Sequence, residues 1–129
     1  MTLRRVIFFY KIALLVFFAR LRRIQLLPTC FHRTRDEQKE LYAIGRTKEL
    51  DRKPVTNCDG VTKISKHQIW EAIDFCIYKD GKLIWQRGSE YEILGKIAKI
   101  LKLRWGGDWN ADDKVDPGDF DIYHFELGE

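Results

Sequence analysis

Two short segments of this chain carry side chains that could do chemistry together. Ser65-Lys66-His67-Gln68-Ile69-Trp70-Glu71-Ala72-Ile73-Asp74 supplies a histidine and an aspartate seven residues apart. Asp121-Ile122-Tyr123-His124 supplies a second such pair about fifty residues later. Two imidazoles and one carboxylate form a common three-ligand set for catalytic zinc, which leaves a fourth position open for water. A further carboxylate three residues before the last histidine can take a proton from that water. Zinc-dependent hydrolysis is the chemistry the pattern points to. Spacing alone is compatible with a shared metal without requiring it, because the fold must bring a loop and two strands together.

The elements that must do so are legible as an alternation of helical and extended patterns. The first is a helix over about residues 3–21, and Ile24 to His32 reads as a short strand. Thr34-Arg35-Asp36-Glu37 is a capping box that opens a helix through about Ala43, closed by Gly45. Residues 46–64 are polar and irregular, which places His67 in a loop. Ala72 to Tyr78 and Lys82 to Trp85 flank Asp80-Gly81, a pair that favours a two-residue hairpin. Ser89-Glu90-Tyr91-Glu92 reads as a second capping box, followed by Ile93, Leu94, Ile97, Ala98 and Leu101 at helical spacing. Trp105-Gly106-Gly107 breaks that helix, and Tyr123 to Leu127 can form a closing strand. The order predicts a single α+β domain over residues 1–129, with a small antiparallel sheet packed against helices.

At 129 residues, 45% hydrophobic and 33% charged, the chain can bury a real core without staples. Cys30, Cys58 and Cys76 are widely and irregularly spaced with no CxxC pair, so free thiols are expected rather than a disulfide framework. The net charge of +4 is unevenly spread. Residues 1–53 hold thirteen Lys/Arg against five Asp/Glu, whereas residues 106–129 hold one Lys against eight acids. A basic half suits an anionic partner such as nucleic acid, a membrane surface or an acidic wall polymer. Arg4-Arg5 before the apolar run Val6 to Ala19 superficially resembles a secretory leader. Lys11 interrupts that run, no small-residue cleavage site follows, and it is shorter than the roughly 20 residues a spanning helix needs. A buried first helix is the expectation, with membrane contact as the alternative.

The motifs around the two segments resemble a known family. Ser65-x-His67 with Asp74, followed by Asp121-x-x-His124-Phe125-Glu126, is similar to the zinc peptidases that cleave bacterial cell-wall peptides. These include D-alanyl-D-alanine carboxypeptidases and phage-type L-alanyl-D-glutamate endopeptidases (endolysins), and their fold is shared with the hedgehog signalling domain. The likeness extends to His32-Arg33-Thr34-Arg35-Asp36-Glu37-Gln38, to Leu41-Tyr42 and Gly45-Arg46-Thr47, and to Leu103-Arg104-Trp105-Gly106-Gly107-Asp108-Trp109. It implies zinc ligands at His67, Asp74 and His124 and a catalytic carboxylate at Asp121. It further implies a substrate-orienting Arg33, a substrate-pocket position at Gln38 and a supporting residue at Ser65. A permanently charged, fork-shaped guanidinium suits a substrate carboxylate or a developing oxyanion.

Two positions depart from the family's pattern. Trp70 stands where a glycine is usual, and its bulk is expected to narrow the pocket or shift the His67 loop. His32 replaces the usual aromatic before Arg33. The resemblance implies a metallopeptidase of peptidoglycan stem peptides, most like a phage endolysin. D-alanyl-D-alanine carboxypeptidase activity and a non-catalytic zinc or peptide-binding domain are the alternatives. Such a protein is expected to be made in the cytoplasm without a cleavable signal and to act on the wall as a monomer, with no nucleic-acid partner.

Asp108, Asn110 and Asp112 place oxygen ligands at alternate positions, as at the start of a calcium loop. Asp113 occupies the sixth position, where such a loop needs glycine, and a solvated acidic loop is the simpler expectation.

Overall fold

The structure, a computed structural model, describes residues 1–128. Helix α1 spans Leu3–Leu21, strand β1 Gln25–Cys30 and helix α2 Arg35–Ala43. A 3-10 turn at Lys66–Ile69 precedes strands β2 (Ala72–Lys79) and β3 (Lys82–Ile84). Helix α3 (Ser89–Ile100), β4 (Leu103–Gly106) and β5 (Asp121–Leu127) complete the chain. The strands form one antiparallel sheet in the order β1-β2-β5-β4, with β3 also pairing to β2. This is the expected α+β arrangement.

Strand alternation divides the sheet into two unlike faces. Ile73, Phe75 and Ile77 of β2 and Phe125 and Leu127 of β5 turn toward α1 and α3. They meet Phe8, Ile12, Leu15 and Ala19 of α1 and Tyr91, Leu94 and Ala98 of α3, all buried. Each fully buried Phe or Leu contributes about 1.5–3 kcal/mol by leaving water. Asp74 and His124 alternate with these residues and so face the other way. Helices α1 and α3 thus occupy one side of the sheet, and the other is left for the 3-10 turn, α2 and the long loop between them.

Local chemistry sets the element ends. The Thr34 side chain accepts from Glu37 N while Glu37 reaches back to Thr34 N, a complete capping box. Asp80 and Gly81 both take positive φ, 52° and 77°, as the tight β2–β3 hairpin requires.

Three local readings change. Gly88, not Ser89, is the N-cap of α3, and no side chain caps it. The Trp105 segment does more than end a helix: Leu103–Gly106 is an edge strand paired to β5, its short alternation masked by the glycine that closes it and the one that follows. His67 lies on a 3-10 turn rather than in open loop, because Ser65 and Gln68 form a second capping box there. All three cysteines are free thiols. No helix among the described residues is long and apolar enough to cross a membrane.

Candidate metal centre and cleft

The metal corner is built by register and by one capped turn. Asp74 pairs directly with His124 across β2 and β5, and Cys30 of β1 pairs with Asp74 from the other side. His67 comes from outside the sheet. The Ser65 hydroxyl accepts from His67 N at 3.3 Å, and the Gln68 side chain accepts from Ser65 N at 2.9 Å. The His67 carbonyl in turn accepts from Arg33 N at 3.2 Å, tying the turn to the segment after β1.

Three acceptor atoms converge there. His67 Nε2 lies 3.3 Å from His124 Nδ1 and 3.4 Å from Asp74 Oδ1, and His124 Nδ1 lies 3.1 Å from the same oxygen. A tetrahedral ion with ligand bonds of about 2.0–2.1 Å holds its ligand atoms about 3.3–3.4 Å apart. The observed triangle fits one face of that tetrahedron. The outer ring atoms fix the tautomers: His67 Nδ1 donates to the Phe31 carbonyl at 3.0 Å, and His124 Nε2 donates to Glu126 Oε1 at 2.9 Å. Each neutral ring therefore turns a lone pair inward, and a carbonyl or carboxylate behind a ligand histidine is what zinc sites use to orient it. Glu126 belongs to the Asp121-x-x-His124-Phe125-Glu126 motif but had no role there; its position two residues after His124 on a strand puts it on the same face.

Cys30, His67 and Asp74 also lie close enough to share an ion. In that grouping Cys30 Sγ sits 3.8 Å from His67 Nδ1, the nitrogen already committed to Phe31. The His67–Asp74–His124 set needs no such exchange and is the better fit.

Without a metal the corner draws protons. Burial works against charge on His67, but hydrogen bonds to Asp74 and Cys30 and the Asp74 charge outweigh it, pushing its pKa up to about 9. His124 is likewise opposed by burial and raised to about 9 by Asp74 and Glu126. Asp74 is raised by burial, yet its bonds to both rings hold it well below the carboxylate range. The hydrogen bond with His67 lowers the Cys30 thiol, against burial and with help from Arg33.

Around this corner opens a cleft. Its lining includes Arg33, Lys66, Trp109, Phe120 and Asp121. Asp121 Oδ2 lies 4.0 Å from His124 Nδ1, and its side chain is 43% exposed, so it reaches both metal corner and solvent. Burial, with Asp74 close by, raises its pKa. Gly106 sets that placement: a Cβ there would meet Asp121 O at 2.2 Å and Asp121 Cβ at 2.9 Å. Only a residue without a side chain permits β4 and β5 to approach where the pairing shifts register.

Arg33 Nη1 donates to Gln38 Oε1 at 2.8 Å, and Nη2 donates to Cys30 Sγ at 3.5 Å. Gln38 is fully buried, its amide donating to Thr56 Oγ1 and the Cys58 carbonyl, so it sits behind Arg33 and ties it to the long loop. Trp70 does not narrow the cleft. It ends the 3-10 turn with φ 62° and ψ 36°, the left-handed region that explains a glycine preference at this position. Its ring stacks on His32 at 4.3 Å and meets Phe31 edge-on at 5.3 Å, away from the cleft. The two departures from the family pattern are thus one contact.

The oxygens of Asp108 and Asp112 are spent on their own turn. Asp108 accepts from Asp112 N and Asp113 N, and Asp112 accepts from Lys114 N. Asn110 turns its donor nitrogen, not its oxygen, toward Asp112 and Asp116. This arrangement adds no support for calcium.

The sheet thus carries α1 and α3 on one face and the His67–Asp74–His124 corner on the other. No family model matches the chain. The chain is similar to the peptidoglycan L-alanyl-D-glutamate endopeptidase CwlK of Bacillus subtilis (strain 168), 43% identical over 82 residues, covering 57% of this chain and 47% of that protein. It is also similar to the L-alanyl-D-glutamate peptidase of Escherichia phage T5, 39% identical over 74 residues, 49% of this chain and 53% of that one. The chain therefore spans about half the length of these curated relatives. Among solved structures, the Serratia marcescens L-Ala D-Glu endopeptidase ChiX aligns with a TM-score of 0.58 over 89% of this chain and 77% of its own, at 19% identity. The vancomycin-resistance D,D-pentapeptidase VanY, solved in complex with Zn(II), aligns with a TM-score of 0.59 over 98% and 72%, also at 19% identity. The sequence relatives and the shared fold bear out the resemblance to this peptidase family.

Proposed function

We propose that the chain is a zinc-dependent peptidase that cuts peptidoglycan stem peptides, of the L-alanyl-D-glutamate endopeptidase type. The observation that carries this reading is the inward-facing triangle of His67, Asp74 and His124 with Asp121 beside it. The names of its sequence relatives supply the substrate class. His67, Asp74 and His124 would hold zinc, which when bound would supply Lewis acidity and an attacking water near neutral pH. Asp121 would act as the proton carrier, accepting a proton from water at its carboxylate and returning it to the departing amine, a role that its raised pKa suits. Arg33, anchored by Gln38, offers its remaining N–H groups to a substrate carboxylate or to the oxyanion that develops. Glu126 and the Phe31 carbonyl hold the two imidazoles in place. We take the partner to be the wall polymer itself, met by one copy of the chain, with no nucleic acid involved.

Defined muropeptides incubated with the zinc-loaded protein and read by mass spectrometry test the reading. A new N-terminal D-glutamate is expected; free D-alanine would make the chain a carboxypeptidase instead. Asp121→Asn should lower turnover by about 10²–10⁴-fold with zinc content unchanged. Hydrolysis that survives both a chelator and this substitution overturns the mechanism.

A further inference from the structure

We propose that α1 lies flat on an anionic phospholipid surface, its outward apolar stripe against the acyl boundary and its arginines among the headgroups. The helix has two apolar faces. Phe8, Ile12, Leu15 and Ala19 point inward and are buried. Leu3, Tyr10, Phe17 and Leu21 recur at spacings of seven, seven and four, which keeps them on one side of a helix with 3.6 residues per turn. They are 74%, 67%, 56% and 65% exposed. The inner stripe is used by the fold, and among the described residues none covers the outer one.

Charge selects the occupant. Arg4, Arg5, Lys11, Arg20, Arg22 and Arg23 lie on α1 and the turn after it, and the first acidic residue of the chain is Asp36. Arg4 is engaged with Glu71, whereas Arg20, Arg22 and Arg23 are exposed together where the helix ends. Pairing two copies through α1, parallel or antiparallel, brings only cations together. An anionic bilayer neutralises them while covering the apolar stripe. The helix is not long and apolar enough to cross, so the contact is with the surface. Since α1 packs on the sheet face opposite Asp74 and His124, the bilayer, α1, the sheet and the cleft stack in that order. The cleft faces away from the lipid.

Flotation of the full chain with vesicles tests this without any peptide hydrolysis, so its failure leaves the peptidase reading intact. Vesicles of phosphatidylglycerol and phosphatidylethanolamine should carry the protein up, and pure phosphatidylcholine vesicles should do so weakly. Combining Arg20→Gln, Arg22→Gln and Arg23→Gln should lower partitioning roughly a hundredfold, about fivefold per arginine. Combining Tyr10→Ser and Phe17→Ser should lower it at least about tenfold while thermal melting stays near that of the unsubstituted chain, because both side chains are exposed. Absence of flotation with the anionic vesicles overturns the proposal, as does undiminished flotation of the Tyr10→Ser, Phe17→Ser variant. A dimer in sedimentation that those substitutions dissolve overturns it too, by giving the stripe to a second copy.

Discussion

The metal corner and the acidic loop at residues 108–119 both offer clustered metal-ligand side chains, and they differ in where their lone pairs go. In the loop, backbone N–H groups of Asp112, Asp113 and Lys114 take the carboxylate oxygens. In the corner, each imidazole spends its N–H outward, on the acceptor behind it at Phe31 or Glu126, and three acceptors face one another within 3.4 Å. Acceptors crowded together without a donor repel unless a cation or protons join them. Ligand type alone does not make a site; convergence of unspent lone pairs does.

The sharpest break of that contrast is to remove one converging atom. Asp74→Ala should abolish zinc retention in equilibrium dialysis and lower hydrolysis by roughly a thousandfold or more, since a bound metal contributes several kcal/mol to the transition state. Next in size is pH. Both imidazoles are raised to about 9 in the metal-free protein, so zinc must displace protons below that pH. Zinc affinity, measured by competition with a chromophoric chelator, should fall by about tenfold per pH unit for each proton displaced as pH drops from 9 to 7. The stability trend has the opposite sign without metal. A histidine whose folded pKa exceeds its unfolded value of about 6.5 stabilises fully below 6.5, and that contribution is lost as pH rises toward 9. Thermal midpoints of the metal-free protein should therefore fall over this window, and added zinc should reverse the trend.

A smaller effect separates the base from the ligands. Gly106→Ala pushes a Cβ into Asp121, and should cost about 1–3 kcal/mol in denaturant unfolding and up to about a hundredfold in turnover through misplacement. Zinc content should change little, because His124 is three residues further along β5. The smallest effect belongs to the loop. Asp112→Asn should leave hydrolysis within about twofold, and calcium should not move the thermal midpoint; a rise on calcium addition would erase the distinction between the two regions.

Much of this was readable before the fold. The capping box at Thr34, the Asp80-Gly81 hairpin and the helical stripe from Ile93 express local rules that the fold keeps, whereas the Ser89 capping pattern is not realised. The sequence motifs named the residues of the corner, but not how Asp74 and His124 face each other, which is a matter of register between strands fifty residues apart. Strand β4 was hidden because four residues ending in glycine carry too little alternation. The 3-10 turn under His67 had a signal, the Ser65-to-Gln68 capping pattern, that its polar surroundings disguised. The Phe31 carbonyl had none, since a backbone oxygen has no identity in sequence.

The Asp74–His124 register also bears on how the chain reaches its final form. Fifty residues must close before that pair exists, and the closure entropy is met mainly by apolar contacts on the far face of the sheet. An ion gripped by His67, Asp74 and His124 would then work as a removable cross-link. It binds the folded chain and not the open one, so it raises the cost of opening by RT ln(1 + [Zn]/Kd). Scarce metal would leave this protein both idle and easier to unravel.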